Sequence, residues 1–205
     1  MSKPYIPKLV LADLTDADAE ILAGWLRRQS STAILLSGGR ERVTAERLLR
    51  SQDGSGDSFL MVKTVDQRRP VGFVTYQGRG ARVFEAGVGI GESSEWGSGY
   101  GGEAIALLFD LLFHRMGAHR VQVSVAGYNW HSLAMIKRSG LEIDGVLREN
   151  VFLDGEWHDT VIASMLDREY YASPIYSPEI DVIPAEMKAK ARALVEQIRP
   201  RPRRT

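Results

Sequence analysis

The chain of 205 residues contains no cysteine. That absence removes disulfides, thiolate metal sites and any covalent route through an acyl-cysteine. Neither sign of charge is in excess, because 26 Lys and Arg stand against 26 Asp and Glu. A dedicated nucleic-acid binder carries a basic surplus that neutralises phosphates, so no nucleic-acid partner is expected. No apolar run reaches bilayer-spanning length, and the opening MSKPYIPKLV is too short and too broken by proline for a signal h-region. The expectation is a soluble, cytoplasmic protein with no membrane partner and no metal.

Hydrophobic residues make up 44% of the chain, enough for one core. A short strand precedes Thr15, which reads as the N-cap of a helix running to about Arg28, with Asp16, Asp18 and Glu20 at its positive end. Residues 30–40 show no clear periodicity, and VTAERLLRSQ offers a second helix before the turn signal Asp53-Gly54-Ser55-Gly56. Strand-like runs follow at Phe59 to Val65, Val71 to Tyr76 and Val83 to Ile90. Connections of hairpin length, the second at Gly78-Arg79-Gly80, make them an antiparallel meander. Glu103 to Met116 is a mostly buried helix whose polar stripe is Glu103, Asp110 and His114. A strand, a helix closed by Gly140 and two strands meeting near Asp154-Gly155 complete the domain. Beyond Ser173, prolines interrupt the chain before an amphipathic helix with Met187, Ala191, Leu194 and Ile198 on one face, then an Arg-Pro tail. The division expected is a domain over 1–171 and an extension over 172–205.

The feature with most chemical content is the turn Trp96-Gly97-Ser98-Gly99-Tyr100-Gly101-Gly102 between a strand and the long helix. The first amides of that helix lack intrahelical partners and form an anion site, and glycines let a phosphate approach the backbone. Gly97, Gly99 and Gly102 also fit a dinucleotide-binding pattern, but the strand Val121 to Val125 carries no ribose-binding carboxylate. A P-loop needs a lysine that the turn lacks. A tight connection without ligand is the remaining alternative.

The segment from Glu85 to Tyr170, with this turn, Asn129-x-x-Ser132, Asp144-Gly145-Val146-Leu147-Arg148 and the Gly155/Asp159 hairpin, resembles the GNAT superfamily, in its RimJ/RimL-like branch. The likeness extends over about residues 8–171. It implies an α/β (α+β) fold with a central, mixed, mostly antiparallel, splayed sheet of about seven strands and flanking helices. It also implies an N-acetyltransferase that moves an acetyl group from acetyl-CoA to a primary amine, either a protein N-terminus or a small molecule, by direct attack in a ternary complex. The alternative is a non-catalytic acyl-CoA-binding or interaction module. Either could act as a monomer or homodimer.

By the same resemblance, the pyrophosphate falls to Trp96 to Gly102, and the acyl arm to backbone groups of Val88, Gly89 and Ile90. Glycines at 87, 89 and 91 would ease a splay there, or mark a strand kink without ligand. Ser132 is the candidate proton donor at the sulfur, with Asn129 beside it, although Asn129-x-x-Ser132 is also an ordinary helix cap. Glu85 and Glu149 are the candidate bases. Glu149 is placed by its spacing of two from Val151, which on an extended strand shares a face with it. Ile136 stands where many relatives carry a tyrosine acid.

Overall fold

Alternating apolar residues with short, turn-forming connections build the sheet of this molecule, most of whose strands pair with their neighbours in sequence. The structure is a computed structural model that describes residues 7–27, 30–37, 43–51, 57–176 and 180–199. The turn signal at Asp53–Gly56, the helix end expected at Arg28, Pro178 and the Arg-Pro tail past Arg199 lie outside those residues.

In chain order the elements are β1 (Leu9–Ala12), α1 (Asp16–Trp25), α2 (Ser31–Ser37), α3 (Ala45–Ser51), β2 (Ser58–Thr64), β3 (Pro70–Gly80), β4 (Val83–Ile90) and α4 (Tyr100–Phe109). There follow β5 (Arg120–Ala126), α5 (Trp130–Ser139), β6 (Glu142–Leu153), β7 (Glu156–Leu166), α6 (Asp167–Ala172) and α7 (Ala185–Ile198). The strands form one seven-stranded sheet in the order β1-β2-β3-β4-β5-β7-β6. It is an α+β fold with a mixed sheet, in which, among the described residues, only β4 and β5 run parallel. The chain divides into two compact units, the first ending at Ile175 and the second beginning at Tyr176, four residues beyond the boundary expected from the prolines. In the second unit, Pro184 precedes α7 and Lys188 pairs with Asp181 at 2.6 Å.

Four elements differ from the sequence reading, one of them the short α6, which follows β7 directly and was not expected. Residues 31–37 are helical, because two turns rich in Ala, Ile and Leu are too short to display a period. The β3–β4 turn lies at Ala81-Arg82 rather than at Gly78-Arg79-Gly80, and Arg82 takes φ 62° while its carbonyl accepts the amides of His119 and Arg120. The long helix begins at Tyr100, three residues early, and after Phe109 it widens into a π-helical turn, Asp110–Arg115. There the Met116 amide reaches back five residues to the Leu111 carbonyl.

The two faces of the sheet are covered differently. Phe73 and Met61 pack with Leu22, Ala19 and Leu48 beneath α1 and α3. On the opposite face lies α4, whose Ala104 and Leu108 are fully buried. Its polar stripe is tied down rather than solvated. Glu103 accepts the amides of Lys8 and Leu9 at 2.6 and 2.9 Å, and Asp110 accepts the Tyr170 hydroxyl at 2.6 Å.

At the start of α1, Thr15 and Asp18 form a reciprocal capping box. The Asp18 carboxylate is buried and also takes the Lys63 ammonium at 2.9 Å. Burial opposes its charge, but the hydrogen bonds from Lys63 and Thr15 outweigh that, and its pKa falls below 3.8. A depressed carboxylate pKa contributes stability above the unfolded-state value, and this is lost as pH falls through the folded-state value. Asp18→Asn is therefore expected to cost about 2 kcal/mol in urea unfolding at neutral pH, since Lys63 is left part-buried without its partner. The gap between wild type and variant should close as pH drops below the ordinary 3.8.

Candidate active site

A parallel strand pair is held by evenly spaced hydrogen bonds for as long as the two chains stay together. β4 and β5 do so only for Val83↔Arg120, Phe84↔Val121 and Glu85↔Gln122. Beyond Glu85 they part. β4 stays paired to β3 as far as Ile90, and β5 stays paired to β7 as far as Ala126. The wedge between Ala86–Ile90 and Val123–Ala126 opens into a cavity of about 520 Å³, within the range of small-molecule and cofactor sites. Its apolar walls include Leu35 and Leu36 of α2, Ile105 and Phe109 of α4, and Met135 and Ile136 of α5.

The glycine turn closes one end. Gly97 and Gly99 have φ of 80° and 92°, a region that side-chain-bearing residues rarely adopt, so the turn itself requires glycine there. Gly101 and Gly102 are different, because they lie inside the first turn of α4 with no such requirement. A Cβ at Gly102 would meet nothing, and one at Gly101 only Ile90 Cγ1 at 3.9 Å. Two glycines in a helix cost roughly 1 kcal/mol each, and protein packing gives no reason for them. They leave open space in front of unpaired helix amides, since the Glu103 amide is the first to bond back, to the Gly99 carbonyl.

Residues 8–142 match the family described as acetyltransferase (GNAT) domain. The chain belongs to this family. Among curated GNAT relatives, the probable N-acetyltransferase YjcK of Bacillus subtilis is 31% identical over 71 residues, 35% of this chain and 39% of that protein. The uncharacterized N-acetyltransferase p20 of Bacillus licheniformis is 25% identical over 179 residues, covering 83% of this chain and 99% of that one. Among solved structures, a spermidine N-acetyltransferase chimera from Vibrio cholerae superposes with a TM-score of 0.70 at 18% identity, covering 81% of this chain and 99% of its own. A ribosomal-protein alanine acetyltransferase from Vibrio fischeri gives 0.66 at 16% identity, covering 81% and 97%. At these identities the structures establish the GNAT fold.

Of the residues singled out from the sequence, Val88, Gly89, Ile90, Trp96, Gly97, Gly99, Gly101, Gly102, Asn129 and Ser132 all line the GNAT cavity. Ser98 and Tyr100 do not; the Tyr100 amide donates to Ser98 Oγ at 3.4 Å. The Trp96 indole donates to the Ile90 carbonyl at 3.2 Å and its ring meets His131 edge-on. Asn129 is buried and caps α5, with Oδ1 accepting the Ser132 amide at 3.1 Å and Nδ2 donating to the Leu35 carbonyl at 3.4 Å. The capping geometry thus exists, and Ser132 also faces the cavity.

The two carboxylates are not together. Glu85 sits at the fork of β4 and β5, where Oε1 accepts the Ser124 hydroxyl at 3.1 Å and Oε2 takes Arg79 at 2.6 and 2.7 Å. Ser124 lines the cavity. Glu149 lies in a bulge, because three residues of β6 between Leu147 and Val151 stand opposite Asp159 alone. Its φ is 49° and its amide donates to Asp159 Oδ1 at 2.9 Å. The alternation that would have put Glu149 and Val151 on one face breaks there, and Glu149 lines a separate, more open surface hollow with Arg148 and Asn150.

The β3–β4 register runs without interruption from Ile90 to Phe84, so glycines 87, 89 and 91 mark no kink in the pairing, and two of them have a packing role. A Cβ at Gly89 would lie 2.5 Å from Phe73, and one at Gly91 2.0 Å from Trp25. They admit large neighbours on the α1 side. Sequence reasoning missed Thr32, whose buried hydroxyl bonds the carbonyls of Ile90 and Gly91 at 2.9 Å, and Arg138 at the end of α5. Thr32 belongs to the unrecognised α2, and Arg138 reads simply as a cation in the last turn of a helix. Among the described residues no group of three or more acidic, His or Cys side chains is placed to hold a metal, and no helix is long and apolar enough to cross a membrane.

Proposed function

We propose that this chain is an N-acetyltransferase, akin to the RimJ/RimL-like branch of GNAT proteins, acting on a primary amine with acetyl-CoA as cosubstrate. The observation that carries the reading is the forked cavity that begins at Glu85 and ends on helix amides fronted by Gly101 and Gly102. These residues fit the donor. A pyrophosphate needs backbone N–H groups at a helix start with no side chain in the way, and an amide-bearing arm needs an unpaired strand edge such as β4 offers past Glu85.

When bound, acetyl-CoA supplies an acyl group activated as a thioester. The amides of α4 hold the phosphates, with Arg138 adding positive charge at the rim. Backbone groups of Val88 to Ile90 orient the arm and polarise the carbonyl. Ser132 donates a hydrogen bond toward the departing sulfur. Glu85 takes the proton of the acceptor ammonium, directly or through Ser124. The balance is one N–C bond made, one C–S bond broken, and two protons lost from nitrogen: the ammonium proton passes through Glu85 to solvent, and the proton released by the acylated nitrogen is matched by the one the thiolate takes up.

Initial rates over a grid of both substrates test this. Intersecting double-reciprocal lines, with no acetylated protein in its mass spectrum, are expected for a ternary complex. Parallel lines with a protein adduct would contradict it. The acceptor panel should span peptides with a free N-terminal alanine and polyamines, the classes named for the two structural neighbours. Coenzyme A binding without turnover on any acceptor would instead support a non-catalytic binding module.

A further inference from the structure

The second unit holds α7, a helix of 14 residues none of which is buried. At about 100° per residue, Met187, Ala191, Leu194, Val195 and Ile198 share one apolar stripe roughly 100° wide. Met187, Leu194 and Ile198 are each more than half exposed, and so are Val182 and Ile183 just ahead of Pro184. The charges are sorted around this stripe. Lys190 borders it on one side and Lys188 and Arg192 on the other, while Glu186 and Glu196 lie on the far face with Ala189 and Ala193. From Ala185 to Thr205 the sequence holds seven Lys or Arg against two Glu, in a chain that is neutral as a whole. Lys190 meets Glu186 and Arg199 meets Glu196, but these pairs are exposed and weak enough for an anionic surface to replace.

A helix of this pattern fits a boundary between water and hydrocarbon. The stripe enters the acyl region, and the long stems of the flanking Lys and Arg carry their charges outward to the phosphates. The acids, turned away, stay in water. A polyanion such as RNA would meet the cations but has no use for the stripe. Pairing with a second α7 is disfavoured, since 14 residues make about two heptads where a coiled coil needs three or four. The expectation of no membrane partner rested on the lack of spanning and signal-like runs, and it does not bear on a helix that lies flat in the surface. We propose that α7 binds the surface of a membrane containing anionic phospholipid. This goes beyond the acetyl-transfer reading and does not depend on it, because the residues that line the forked cavity lie in the first unit.

Co-sedimentation of the full chain with vesicles tests this, using phosphatidylcholine alone and phosphatidylcholine mixed in equal parts with phosphatidylglycerol. The wild-type chain is expected to bind the mixed vesicles, to be released as salt is raised, and to bind phosphatidylcholine alone roughly tenfold more weakly or less. Leu194→Gln with Ile198→Gln keeps helix propensity and charge and is expected to weaken binding about 100-fold or more, about tenfold for each apolar side chain. Lys190→Gln with Arg192→Gln should weaken it about 25-fold, about fivefold for each charge near an anionic surface. No binding by the wild-type chain, or equal binding to both kinds of vesicle, overturns the proposal. Either variant binding like the wild type also overturns it, and an unaffected Leu194/Ile198 variant beside a weakened charge variant is the pattern of a binder of polyanions such as RNA.

Discussion

Glu85→Gln is expected to lower kcat by about 10²- to 10⁴-fold, the range over which a positioned general base acts, while coenzyme A affinity stays near wild type. Glu85 occupies the last paired position before β4 leaves β5, and its carboxylate contacts Ser124 in the cavity wall. Arg79 grips the other oxygen from two nitrogens, which fixes the carboxylate in place. Glutamine preserves volume and can still meet Arg79 and Ser124, so the loss should fall on proton removal and not on folding. The check is kcat and KM for both substrates beside a calorimetric Kd for coenzyme A. Glu149→Gln, in the β6 bulge, is expected to change kcat far less. The reverse order of effects would move the base to Glu149.

Gly101→Val should abolish donor binding without harming the fold. The new Cβ would have only Ile90 Cγ1 nearby, at 3.9 Å, an ordinary contact. Glycine also disfavours a helix, and any side chain there should hold or raise stability by a few tenths to about 1 kcal/mol. The branched side chain fills the space through which an anion reaches the amides of α4. Losing two charge-assisted hydrogen bonds corresponds to a Kd increase of roughly 100-fold or more. Thermal unfolding and calorimetry on the same sample separate the two effects. Retained coenzyme A affinity in a folded Gly101→Val chain would show that the phosphates lie elsewhere.

The glycine turn of this cavity was legible because its geometry is local. Positive φ at Gly97 and Gly99 and bare amides at Gly101 and Gly102 are properties of a few consecutive residues, and glycine is the residue type that supplies them. The fork itself is another matter. Nothing in VFEAGVGI says that pairing with β5 stops at Glu85, since that depends on β5 being held by β7 on its far edge. The alternating glycines pointed to the strand at which the sheet does splay, and two of them, Gly89 and Gly91, also make room for Phe73 and Trp25. Glu149 was misplaced because period two fails in a bulge, and a bulge leaves no mark in sequence unless its residue is glycine. The seven-residue α2, with Thr32 and the cavity wall it brings, is shorter than any window in which periodicity can be read.

The most direct test follows from the absence of cysteine, which means that the protein contributes no thiol of its own. Purified chain, acetyl-CoA and an amine panel are incubated with a thiol reagent while acetylated amine is counted by mass spectrometry. The account predicts coenzyme A thiol appearing in equal amount with N-acetylated product, dependent on both substrates. Tight coenzyme A binding with no amine-dependent thiol from any acceptor would contradict it.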